Sequence, residues 1–230
     1  VTGPFTTLQG VAGSTLAAWV TFSGSPTAVE QGIINVATGT SIAQTRANIS
    51  FRHQAGVYRA SARRLDADPV VVVDSISPIT FRATHVCGVF EYSNQIARIY
   101  INGVQEATIA VPGWTGLTSA TPALAAAIGG RADGNVTSST TGLVSDAMVF
   151  SRALSAGEVA GLFRCRGRGN NYFGRGNHIR LQGIAPNVPV TSAADTRDSV
   201  GGASAVTPLG GPPDLLGANY IAANRRRRRR

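Results

Sequence analysis

Apolar and polar residues alternate with a period of two along much of this chain. In Leu16–Phe22 the residues Leu16, Ala18, Val20 and Phe22 share one side, the spacing of a strand with one face on a core. Ser23-Gly24-Ser25-Pro26 then breaks the pattern. The same texture returns at 32–37, 47–53, 57–62, 70–73, 84–92, 95–101, 104–110, 123–128 and 143–150, and a short run follows at His178–Leu181. Ten strand candidates within the first 150 residues are the density of an antiparallel sandwich.

Two local signals are sharper. Asn102-Gly103 stands between strand-like runs, and both residue types tolerate positive φ, so a type I′ hairpin turn is expected there. Ser155 followed by Glu158 forms a capping box, and Val159, Leu162 and Phe163 fall at helical spacing. The pattern predicts a single short helix over 155–164. Beyond Phe163 the chain turns Arg- and Gly-rich, and 185–213 is dense in Pro, Gly, Ser, Thr and Ala. The expected organisation is therefore a sandwich core over 1–163, an extended arm or edge strands over 164–224, and a poly-Arg tail over 225–230.

Charge changes this picture little. All 21 basic residues are Arg, and six of them form the terminal run; without it the net charge of +9 falls to about +3. Nucleic acid is thus not an expected partner except through that tail, which reads as a solvated tail, an electrostatic anchor or an addition to the natural chain. The absence of Lys excludes P-loop phosphate sites and Schiff-base cofactors. No apolar run is long enough to span a bilayer, so no membrane partner is expected, and the chain reads as soluble without a targeting segment. Cys87 and Cys165 have no metal-ligand spacing; two buried thiols are the simpler reading and one long-range disulfide the other.

Thr84-His85-Val86-Cys87-Gly88-Val89-Phe90, then Ile99-Tyr100-Ile101-Asn102-Gly103, then Ala127 to Arg131, and finally Gly142 through Glu158 resemble the laminin-G-like jelly roll of the concanavalin A-like lectin/glucanase superfamily. The family carries a W-H-H-V-A-type strand, an L-Y-V-N-G hairpin and a last strand running into an A-L-S-x-x-E helix. Thr84 replaces its Trp and Cys87 its Ala. The resemblance covers about residues 16–163 and implies an all-β, antiparallel jelly-roll sandwich. The stretch from Asp195 through Pro213 faintly resembles the strand that opens such domains, as in some virion-associated relatives.

Glucanases of that superfamily set two Glu at alternate positions of one strand. Here the four Glu, at 30, 91, 106 and 158, are never two apart. Asp66-Ala67-Asp68 has the spacing, but Pro69 follows and a solvated turn is expected. His85 falls mid-strand and reads as a satisfied structural histidine, and His53 and His178 have no partners at regular spacing. No catalytic residue and no enzyme activity are therefore expected. No cofactor is expected either, with Ca²⁺ on Asp66, Asp68, Asp133 and Asn135 as the one exception weighed. Lectin-type binding would use aromatic platforms, for which Trp114, Tyr58 and Tyr172 are the candidates. Trp19 lies out of phase with the Leu16 row and is expected to pack under a loop.

These features lead to two expectations. One is a structural virion protein, a phage head-decoration or tail-associated subunit docking on other virion proteins or on copies of itself. The other is a secreted, extracellular carbohydrate-binding or adhesion module with a glycan partner.

Overall fold

The computed structural model describes residues 2–22, 30–38, 45–52, 56–121, 123–130, 140–165 and 178–181. Within these, two six-stranded antiparallel sheets pack face to face. The first, sheet A, has the order β1 (Thr2–Phe5), β10 (Ala123–Ile128), β3 (Glu30–Ala37), β4 (Thr45–Arg52), β5 (Val57–Ala62), β6 (Val71–Pro78). Sheet B has the order β12 (His178–Leu181), β11 (Gly142–Phe150), β2 (Gly13–Phe22), β7 (Thr84–Glu91), β8 (Ile96–Ile101), β9 (Val104–Ala110). The expected strands form, most within two residues of their expected ends; β1 was not expected, β2 starts three residues early and β6 runs five residues longer than its pattern.

Period-two alternation builds the space between the sheets. Leu16, Ala18, Val20 and Phe22 of β2 meet Ala47, Ile49 and Phe51 of β4 in one buried cluster, roofed by Trp114, Tyr92 and Leu8. The opposite side of β2 is also covered. Ala17 joins Cys87, Val89, Tyr100, Met148 and Phe150 in a second cluster beneath helix α1 (Ala156–Arg164), which contributes Val159 and Leu162. Trp19 therefore packs under a helix rather than a loop: its ring stacks on Phe163 with centroids 5.5 Å apart.

Local chemistry sets the element ends as expected. Ser155 Oγ accepts from the Glu158 N–H, and the Glu158 carboxylate accepts from the Ser155 N–H at 2.8 Å, so the capping box starts α1. Asn102 and Gly103 have φ of 51° and 82°, the positive pair that a type I′ turn needs. A bulge in β11 between Ser145 and Met148 puts Asp146 at φ 51°, a conformation Asp tolerates better than most residues. Cys87 and Cys165 are both free thiols, and Cys165 is only half-buried, so neither the disulfide nor a pair of buried thiols is formed. Among the described residues no helix is long and apolar enough to cross a membrane.

Candidate functional site

The two aromatic candidates that lie among the described residues are core residues. Trp114 is 2% exposed and packs against Phe90 and Tyr92; Tyr58 is 1% exposed and packs against Phe22 and Phe51. A sugar-stacking platform needs an open ring face, and neither ring has one. Tyr172 lies outside the described residues. The sequence pattern could not separate these cases, because the loop after Val111 folds back over the open end of the sandwich and carries Trp114 inward.

The calcium candidates are also committed elsewhere. Asp66 Oδ1 accepts from the fully buried Arg46 guanidinium at 2.8 Å, and its Oδ2 accepts from Ser119 Oγ at 3.0 Å. Burial pushes the Asp66 carboxyl up, but Arg46, Ser119 and Arg63 outweigh it and hold it below the usual range. Asp68 Oδ2 accepts from the Leu65 N–H at 3.0 Å and lies 3.6 Å from Arg64. A divalent cation would have to displace arginines here, and the described residues contain no cluster of three metal ligands. Asp133 and Asn135 lie outside the described residues. The Asp66-Ala67-Asp68 turn is thus an arginine-bound knot rather than a freely solvated turn.

His85 departs from expectation. It is fully buried, but neither ring nitrogen has a hydrogen-bond partner among the described residues, so it is not a satisfied histidine. His53 and the side chain of His178 lie outside the described residues.

The outer side of sheet A has the polar chemistry of a binding site, with Asn35, Asn48, Ser50 and Ser61 buried and Arg52, Arg59 and Asp74 partly exposed. Ala47, Ile49 and Phe51 point inward from β4, so the alternation turns Asn48, Ser50 and Arg52 outward. The pairing register sets Asn35, Asn48 and Ser61 in one cross-strand row, and Ser50, Arg59 and Asp74 in the next. Glu30, at the end of β3, reaches across the rows: its Oε1 accepts from Ser50 Oγ at 2.6 Å and Asn48 Nδ2 at 3.4 Å. Arg59 grips Asp74 through two hydrogen bonds, Nε to Oδ1 at 2.7 Å and Nη2 to Oδ2 at 2.8 Å, and that carboxylate raises the Arg59 pKa. Two groups are left over. Asn48 Oδ1 is buried without a partner, and the half-buried Arg52 makes no ion pair among the described residues. On the edge strand the same face turns aliphatic at Val72 and Ile76, which are 37% and 78% exposed.

The outer sides of the two sheets are therefore unlike: that of sheet B is apolar and packs under α1, while that of sheet A is lined by amides, hydroxyls and paired charges, of which Asn35, Asn48, Ser50 and Ser61 are buried. The architecture is a two-sheet jelly roll with one outer side covered by its own helix and the other polar. A family model for the concanavalin A-like lectin/glucanases superfamily matches residues 1–160, and the chain belongs to that superfamily. Among solved structures, a heptameric SAP-like pentraxin from Limulus polyphemus superposes with TM-score 0.54 at 20% identity, over 70% of this chain and 74% of that one. The CBM40 of the Ruminococcus gnavus IT-sialidase gives TM-score 0.54 at 19% identity, over 67% and 84%. The same CBM40 bound to α2,3-sialyllactose gives 0.51 at 16% identity, over 67% and 83%. No match is found among curated proteins.

Proposed function

We propose that this protein is a carbohydrate-binding module that recognises a glycan on the outer face of sheet A. The observation that carries the reading is the pair of polar cross-strand rows on sheet A, Asn35, Asn48 and Ser61 beside Ser50, Arg59 and Asp74, flanked by the half-buried Arg52, which makes no ion pair among the described residues. Amides and carboxylates fixed in such rows match the paired hydroxyls of a sugar, and Arg52 adds an uncommitted donor set. In support, the Ruminococcus gnavus relative is a carbohydrate-binding domain seen with sialyllactose.

The module binds without cleaving. Glu30 is tied to Ser50 and Asn48, and Asp74 is clamped by Arg59, so neither carboxylate on this face is poised as a general acid or nucleophile. A glycan array with the purified chain tests the reading, with Asn48→Ala and Arg52→Ala as probes. Binding to a defined set of glycans that falls at least tenfold in both variants, with melting temperatures unchanged, is the expected result. No binding to any glycan would overturn it. The virion-subunit expectation, with docking on other subunits, would then be tested by stoichiometric recovery of the chain in purified particles.

A further inference from the structure

His85 poses a problem that glycan binding leaves untouched. Its backbone is well paired, since its N–H donates to Asn102 Oδ1 at 3.0 Å and its carbonyl accepts from the Asn102 N–H at 2.8 Å. Its imidazole is not: with 0% exposure, neither Nδ1 nor Nε2 has a hydrogen-bond partner among the described residues. The ring lies in an aromatic slot, 5.5 Å from Trp19 of β2 and 6.2 Å from Phe163 in the last turn of α1. Trp19 and Phe163 stack on each other with an interplanar angle of 22°, which closes the slot. Buried polar groups are paired in the great majority of cases, so an orphaned imidazole calls for a reason.

Among the described residues no charge near the slot offsets a proton on this ring. Strand β2 carries no ionisable side chain. On β7 and β8, Glu91 and Arg98 pair with each other, and Tyr100 bonds Gln105. Glu106 of β9 turns away to accept from the Ile76 and Ser77 N–H groups of β6. On α1, Glu158 is taken by Arg152, and Arg164 is exposed. The Cys87 thiol is held neutral by burial, the half-buried Cys165 follows Arg164, and Asp146 belongs to β11, on the far side of β2. Burial alone therefore acts on His85 and lowers its pKa from 6.5 to about 4.

We infer that this slot is an acid-operated latch, in which protonation of His85 drives the last turn of α1, Phe163 to Cys165, off the outer face of sheet B. A cation in the closed slot is desolvated beside the stacked Trp19–Phe163 pair, whereas the open slot lets water reach it. Because the closed-state value lies below 6.5, closure is at full strength above pH 6.5 and weakens as pH falls towards 4. Opening then becomes about tenfold easier per pH unit, reaching roughly 300-fold. Opening uncovers the Trp19 and His85 rings that Phe163 covers.

Hydrogen exchange of the full chain, corrected for the intrinsic rate at each pH, tests the latch. The amides of the last turn of α1 are expected to open roughly 60-fold more at pH 4.5 than at pH 7, while β7 and β8 hold; in His85→Leu this acid response disappears. Equal acid opening in His85→Leu, or none in the natural chain, would overturn the inference. A second variant keeps the test decisive if the first does not fold. Phe163→Ala should move the His85 ring titration, followed by nuclear magnetic resonance, up from about 4 towards 6.5. An unmoved titration would show that α1 does not close the slot and would equally overturn it.

Discussion

Asp66→Ala removes the carboxylate that, among the described residues, alone pairs with Arg46, whose side chain is 0% exposed while that of Asp66 is 37% exposed. The guanidinium keeps its bond to the Thr121 carbonyl at 2.6 Å, but its charge is left without a counter-ion. Breaking a fully buried pair in this way costs about 3–5 kcal/mol, and partial exposure of Asp66 reduces that to roughly 2–4 kcal/mol. For a domain of this size each kcal/mol moves the melting temperature by about 2–4 °C, so a fall of some 5–15 °C is expected. Thermal denaturation followed by circular dichroism measures it. The companion variant Arg46→Met with Asp66→Ala should recover most of the loss, since it removes the stranded charge and keeps the volume. The pH dependence has a definite sign. Asp66 is held below its ordinary 3.8, so its contribution is present above that value and is lost as the pH falls through the lowered one; Asp66→Ala should lose less stability than the natural chain below about pH 4. A melting shift below 2 °C, or a double variant as unstable as the single one, would refute the reasoning.

Gly103→Val should destabilise by about 2 kcal/mol or more, because φ is 82° and an added Cβ would sit 3.0 Å from the Phe163 Cβ; equilibrium unfolding measures it. Glu158→Gln weakens both the capping box and the pair with Arg152, and should cost about 1 kcal/mol at pH 7. Bonds to Arg152 and Ser155 hold Glu158 at about 2, so the natural chain loses this increment as the pH falls from 4.5 through 2 and the variant does not, as acid titration of stability should show. Glu106→Ala removes the acceptor for the Ile76 and Ser77 N–H groups on edge strand β6, and hydrogen exchange at those two amides should quicken about tenfold with the remaining strands unchanged.

Elements that rest on local pattern were legible in the sequence. Val57–Ala62, Val104–Ala110 and Ala123–Ile128 have the bounds that their alternation suggests, and the Asn102-Gly103 turn and Ser155 cap follow from the chemistry of two or three neighbouring residues. Positions decided by distant contacts were not legible. Trp114 stands among turn residues and looks exposed, but tertiary folding of its loop buries it against Tyr92. His85 reads as an ordinary strand residue, because the helix turn that seals it lies nearly eighty residues away. The candidate site was half visible. In Arg46-Ala47-Asn48-Ile49-Ser50-Phe51 the alternation is plain, yet a polar phase of a strand looks the same whether it faces bulk water or forms a binding floor. Only the register that lines Asn48 up with Asn35 and Ser61 distinguishes the two.

Strand β12 gives the module a direction. It pairs with β11 at the border of sheet B, the helix-bearing layer, while the amide and hydroxyl rows lie on the far side of the other layer. A tether fastened there would hold the recognition face outward, clear of its own anchor. Several copies mounted on one support could then engage a crowded sugar surface together, and weak single contacts would add up to firm attachment through effective concentration.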